Sequence, residues 1–101
     1  MVVRIWHGWT KTEDAEAYRL LLRTTILPGI HRVLGYRGAY LLSRRREDEI
    51  EFVTLTLWES MEAVKEFAGA DSAHAVVPVE ARKLLRRFDD RSEHYDGEWV
   101  P

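Results

Sequence analysis

The chain has 101 residues, 46% hydrophobic and 32% charged, with a formal net charge of −2. That length and composition suit one globular domain, expected over residues 1–101, and not a disordered chain. A negative balance argues against a dedicated nucleic-acid binder, which needs a cationic surplus, and the absence of Cys excludes disulfides and thiolate metal sites.

Residues 2–10 (VVRIWHGWT) are β-branched and aromatic and read as a first strand. The charge at Arg4 and the lack of a small-residue cleavage site set this segment apart from a signal peptide. No run approaches the roughly 20 apolar residues that span a bilayer. A cytoplasmic protein with no membrane partner is therefore expected. A helix should follow the strand. Thr10-Lys-Thr-Glu13 fits a capping box, with Thr12 a competing cap, and Ala15, Tyr18, Leu22 and Ile26 repeat at helical spacing. Pro28-Gly29 should break or kink this helix, and Gly35 should close the turn beyond it. Residues 36–44 and 50–58 read as second and third strands. The charged run Arg45 to Glu49 between them is of hairpin length, so the two strands are antiparallel. Ser60 can cap a second helix with an apolar stripe of Met61, Val64, Phe67 and Ala68, closed by Gly69. Pro78 suits the start of a further short helix, with Val79, Leu84, Leu85 and Phe88 facing inward. Residues 91–100 make a last strand, with Ser92, His94, Asp96 and Glu98 on one face. The order β-α-β-β-α-β is the ferredoxin-like α+β arrangement, an antiparallel sheet with helices on one face.

Both faces of that sheet are apolar. The third strand puts Val53, Leu55 and Leu57 on one side and Ile50, Phe52, Thr54, Thr56 and Trp58 on the other. Helices can cover only one side, and the patch left in water exceeds what a monomer tolerates. A homodimer with the sheets face to face is the expected remedy.

The run Glu51-Phe-Val-Thr-Leu-Thr-Leu-Trp-Glu-Ser-Met-Glu-Ala-Val-Lys-Glu-Phe-Ala-Gly resembles the strand–Trp–Glu–Ser–helix signature of the antibiotic biosynthesis monooxygenase family. The opening VVRIWHGWT and closing SEHYDGEW are similar to bacterial members of that superfamily. The resemblance implies a dimeric α+β barrel. It sets only a prior on chemistry, because the superfamily includes cofactor-independent oxygenases of polyketide quinone pathways, heme-degrading monooxygenases and other members.

Oxygenation without a cofactor needs an electron-rich phenolic substrate, a base to form its anion, and a dry aromatic pocket. His titrates nearest to working pH. Of His7, His31, His74 and His94, those at 7 and 94 lie within strands and are the acid/base candidates. Each also reads as a structural His bonded to backbone or carboxylate. Trp9, Tyr18, Tyr40 and Phe67 are candidate cavity walls for a small aromatic molecule, and Trp58 is a pocket shaper or a core plug. His31 follows the Pro28-Gly29 break and reads as solvated. The heme-degrading branch implies an Asn on the first strand, a Trp on the second helix and a His ligand beyond it. Here Phe67 and Val77 occupy the latter two spacings, His74 falls three residues short of the ligand spacing, and the chain has no Asn. Heme degradation by that route is disfavoured, while heme binding through His74 stays open. No two His share a metal-ligand spacing. The Arg44–Arg46 run, and the basic group Arg82, Lys83, Arg86 and Arg87, read as solvated charge beside acids. The expectation is a cofactor-free monooxygenase with no metal, acting on an aromatic or polyketide-type compound. A non-catalytic or stress-associated binding dimer and a heme binder are the alternatives.

Overall fold

The computed structural model describes residues Met1–Pro101. Strand β1 (Val2–Lys11) is central and pairs antiparallel along its whole length with β3 (Glu49–Trp58). Outside β3 lies β2 (Tyr36–Arg46), joined to it by a tight hairpin. The other edge of β1 is shared end to end by two short strands. β4 (Leu85–Phe88) runs beside Gly8–Thr10, and β5 (Glu93–Asp96) runs beside Val2–Ile5. Helices α1 (Ala15–Leu21), α2 (Leu27–Gly29), α3 (Met61–Ala68) and α4 (Val79–Leu84) complete a ferredoxin-like α+β fold. No helix is long and apolar enough to cross a membrane.

Local chemistry explains most of these boundaries. Ser60 caps α3, its hydroxyl accepting from the Ala63 amide at 3.2 Å, and Gly69 ends the helix at φ +93°. Gly35 takes φ +91° where the chain turns into β2, and a Cβ there would lie 2.7 Å from that of Ala63. The capping box at Thr10 does not form. The strand runs on to Lys11, the Thr10 hydroxyl donates to the Lys11 carbonyl, and a 3₁₀ turn over Thr12–Asp14 leads into α1. Pro28 does not break the helical course. A π-helical turn over Leu22–Ile26, with the Leu27 amide bonded to the Leu22 carbonyl, widens the helix ahead of it. This relieves the crowding that a proline ring imposes on the preceding turn.

The C-terminal third departs further from the sequence pattern. The expected inward helical face of Leu84, Leu85 and Phe88 is split, because α4 stops at Leu84 and Leu85–Phe88 becomes β4. Open strand edge on β1 is worth more to this segment than another helical turn. Phe88 then packs on Trp6 with ring centroids 5.8 Å apart, and Arg86 and Arg87 pair with Glu49 of β3. Val79 is 55% exposed. The last strand shortens to Glu93–Asp96, and Trp99 beyond it is 83% exposed.

Period-two alternation sorts the central strands into two faces. Val2, Arg4, Trp6, Gly8 and Thr10 of β1 face the helices beside Trp58, Thr56, Thr54, Phe52 and Ile50 of β3. Two core clusters form there. One joins Val2, Ile30, Trp58, Ala63 and Val64; the other joins Ala15, Tyr18, Leu22, Phe52 and Ala81.

The opposite face carries no helix. Across it run the rows Val3–Leu57–Gly38, Ile5–Leu55–Tyr40 and His7–Val53–Leu42, and Tyr95 of β5 lies beside Val3. Tyr40, Leu42 and Tyr95 are 64%, 46% and 52% exposed. One end of this face is polar. Glu51 is buried, accepting from Arg44 Nε at one oxygen and pairing with His7 Nδ1 at 3.0 Å at the other. These contacts, that with Arg44 foremost, hold the Glu51 carboxyl below its ordinary 4.5 against the opposing effect of burial.

Because the Glu51 pKa is depressed in the folded chain, its contribution to stability is whole above the ordinary 4.5 and is lost as pH falls through the folded value. Glu51→Gln is expected to lower the thermal midpoint at neutral pH. It should also flatten the midpoint's decline between about pH 5 and pH 3, followed by circular dichroism.

Candidate functional site

The two core clusters share only Leu27 at their margins. Between them the inward rows carry Arg4 and Trp6 on β1 and Thr56 and Thr54 on β3. Thr side chains are too short, and Arg too polar, to close the space that Phe52 and Trp58 fill on either side. A narrow slot results, about 60 Å³ in volume and partly open to solvent. Trp6, Tyr18 and Phe67 supply aromatic wall, and Leu22, Ile26 and Val77 are among the aliphatic lining. Toward the surface the slot meets a wider groove that shares Ile26, Ile30, Phe67, Val76 and Pro78 with it, which places the mouth between the π turn and the segment ahead of α4.

Arg4 forms the polar end. It is only 4% exposed. Its guanidinium donates through Nη1 to the Ser72 carbonyl and to His94 Nε2 at 2.9 Å, and through Nη2 to the His74 carbonyl at 2.9 Å. Its carbon lies 5.7 Å from the Phe67 ring centre. Burial lowers the Arg4 pKa to about 10, so the group stays cationic at neutral pH. A guanidinium has no lone pair to offer, so His94 Nε2 must be the acceptor and the imidazole carries its proton on Nδ1. Burial first, and then the charge of Arg4, lower the His94 pKa and keep the ring neutral.

The other polar lining groups are the Trp6 indole, which donates to the Asp89 carbonyl at 2.6 Å, and hydroxyls. The Thr56 hydroxyl accepts from the Trp58 indole at 2.8 Å. The Thr54 hydroxyl is buried with no partner. Burial raises the Tyr18 phenol far above its ordinary value, so it stays protonated. No Asp, Glu or His lines the cavity. The chain has no cluster of three or more His, Cys, Asp or Glu side chains that could hold a metal ion.

The residues singled out from sequence separate across the sheet. Tyr18 and Phe67 line the cavity. Trp58 is fully buried beside it, with its ring centre 5.4 Å from that of Phe67 and 5.1 Å from that of Tyr36. His7, Trp9 and Tyr40 do not line the cavity. They stand on the face without helices, where His7 stacks on Trp9 and pairs with Glu51. Odd positions of β1 and even positions of β2 point that way, and the unbroken register of β1 on β3 keeps them there. His94 stands behind Arg4 and outside the lining, while His74 is exposed and contributes its carbonyl to Arg4. His31 is exposed and meets Tyr36 edge to face. Arg4, Trp6 and Thr54 are the lining groups that sequence reasoning passed over. The signal for them was a charge within an apolar strand, and two Thr on a strand face otherwise built of Phe, Ile and Trp.

Comparison with solved structures shows the same fold at low identity. A protein from Deinococcus radiodurans assigned to the antibiotic biosynthesis monooxygenases superposes with a TM-score of 0.70 at 16% identity, covering 100% of this chain and 97% of that one. The heme-degrader MhuD from Mycobacterium tuberculosis, solved with two hemes bound in its active site, gives 0.61 at 19% identity over 100% and 99%. The ActVA-Orf6 monooxygenase of Streptomyces coelicolor, solved in complex with nanaomycin D, gives 0.58 at 18% identity over 99% and 91%. No curated protein sequence matches the chain. The antibiotic biosynthesis monooxygenase family model matches residues 1–79, which carry β1, α1, the β2–β3 hairpin, α3 and most of the cavity wall, and the chain belongs to that family.

Proposed function

We propose that this protein is a cofactor-independent monooxygenase acting on a planar aromatic or polyketide-type small molecule. The observation that carries the reading is the narrow slot walled by Trp6, Tyr18 and Phe67, which suits a flat apolar ring system. The ActVA-Orf6 relative, with its nanaomycin D ligand, supports the same substrate class. The reaction consistent with such a site oxidises a ring methylene flanked by carbonyl or phenol groups. The methylene first loses a proton to give an enolate. The enolate carbon reduces O₂ and forms a C–O bond. The O–O bond then breaks, leaving one oxygen atom as a ring ketone and releasing the other as water with the two methylene hydrogens. The methylene gives up four electrons and O₂ accepts them, so no further reductant is needed. With no carboxylate or imidazole in the lining, the substrate must be acidic enough to reach the cavity as its anion. In this reading His94 holds the Arg4 guanidinium and is not the base.

We further infer that the protein works as a homodimer joined through the sheet face that carries Val3, Ile5, Leu55, Leu57, Tyr40 and Tyr95. A contiguous apolar surface of this kind is uncommon on a monomer, and a two-fold pairing of the same face covers both copies. Leu55→Arg at the centre of that face is expected to halve the sedimenting mass from twice 11.9 kDa to 11.9 kDa.

The enzymatic reading is tested with anthrone as probe, following dissolved oxygen and quinone absorbance together. Equimolar oxygen uptake and quinone formation above the spontaneous rate are expected, and both should be lost in Val77→Phe, which fills the slot. Saturable anthrone binding with no oxygen uptake would replace this reading with a binding dimer. Heme binding is favoured only by the likeness to the heme-degrader, since His74 lies outside the lining. A Soret shift on hemin titration, abolished in His74→Ala, would move the assignment there.

A further inference from the structure

Burying a charge is costly unless a counter-charge or a full set of hydrogen bonds compensates. Arg4 has neither. None of the chain's ion pairs includes it, and besides its contact with the Phe67 ring its only hydrogen-bond partners are two backbone carbonyls and a neutral imidazole. These take three of the five N–H groups that a guanidinium carries, so two donors are left without an acceptor on a residue that lines the cavity. Thr54, one strand away on the same face, adds a buried hydroxyl with no partner in the same wall. No acidic side chain lines the cavity to neutralise either group or to welcome a cation.

We propose that the cavity selects its ligand by an anionic oxygen, a ring-borne carboxylate, phenolate or enolate, seated on the free N–H groups of Arg4 and assisted by the Thr54 hydroxyl. This rests on the slot being the ligand site. The ring system lies between Trp6, Tyr18 and Phe67, and the charged oxygen points to the Arg4 end. The anion supplies the missing counter-charge in a setting screened from water, where a charge-assisted bond is at its strongest. His94 and the Ser72 and His74 carbonyls position the guanidinium and leave its remaining edge to the ligand. A cationic or strongly hydrated ligand is excluded by the same groups. For an oxygenase the arrangement also lowers the cost of forming the substrate anion, because the charge needed for reaction with O₂ is stabilised where it resides.

The test compares 2-naphthoate, ionised 2-hydroxy-1,4-naphthoquinone and the neutral isostere 2-naphthamide by calorimetric titration of the full chain at pH 7.5 in low and high salt. The two anions are expected to bind at least about tenfold tighter than the amide, the gain typical of a charge-assisted hydrogen bond. That preference should survive 0.5 M salt, because a buried site is weakly screened. It should vanish in Arg4→Met, be partly kept in Arg4→Lys, and narrow in Thr54→Val. Equal binding of anion and amide by the unaltered protein would overturn the anion assignment and leave the aromatic-cavity reading standing, with Arg4 acting only as a structural clamp. Binding of neither would remove both. The comparison within the unaltered protein decides the matter even if Arg4→Met does not fold.

Discussion

A guanidinium enclosed by protein organises the interior. Arg4 sits on the central strand, and its three hydrogen bonds reach segments distant in sequence: the Ser72 and His74 carbonyls in the turn after α3, and His94 on β5. The same turn is tied to the connection between β4 and β5 by the Ala75 amide to the Asp90 carbonyl, the Ser92 amide to the Ala73 carbonyl and the Asp71–Arg91 ion pair, and together with the Arg4 bonds these fix its height above the sheet. That height sets the position of Val76, Val77 and Pro78, which form one lip of the cavity. Burial lowers the affinity of Arg4 for its proton but leaves it charged at neutral pH, so this end of the cavity keeps its positive potential. Burial, and then this charge, keep His94 neutral, and the bond from Arg4 fixes its tautomer.

The cavity is a consequence of how β1 and β3 distribute bulk along one face. Large aromatic residues close the ends, Trp58 in one cluster and Phe52 in the other. Thr54 and Thr56 lie between them and cannot fill the interval. The widened turn over Leu22–Ile26 passes above this interval and contributes Leu22 and Ile26 to the lining. The strain relief demanded by Pro28 and the shape of the cavity roof thus come from the same few residues.

The two faces of the sheet divide the roles. The covered face holds the slot. The uncovered face combines aliphatic rows with a polar corner in which Glu51 binds both Arg44 and His7, while Arg87 lies over Trp9 with its guanidinium carbon 4.1 Å from the ring centre. Such a corner adds directional contacts to a surface otherwise suited to non-directional burial.

The order of the central elements, the Ser60 cap, the stops at Gly35 and Gly69, and the two-faced character of β1 and β3 follow from local periodicity and turn chemistry, and all were legible in the chain. So was the aromatic content that a cavity needs. Period two assigns His7 and Trp9 to one face and Arg4 and Trp6 to the other, but it does not say which face the helices take. That is settled by long-range packing of Tyr18, Leu22, Val64 and Ala81, which leaves His7 on the face away from the cavity and His94 on the covered face behind Arg4. Only the tertiary structure turned Leu85–Phe88 into a strand, because the edge it pairs with lies more than seventy residues earlier. Only the tertiary structure brought Arg4 to the cavity wall, because two of its partners are backbone carbonyls, which any residue type supplies and no sequence pattern marks.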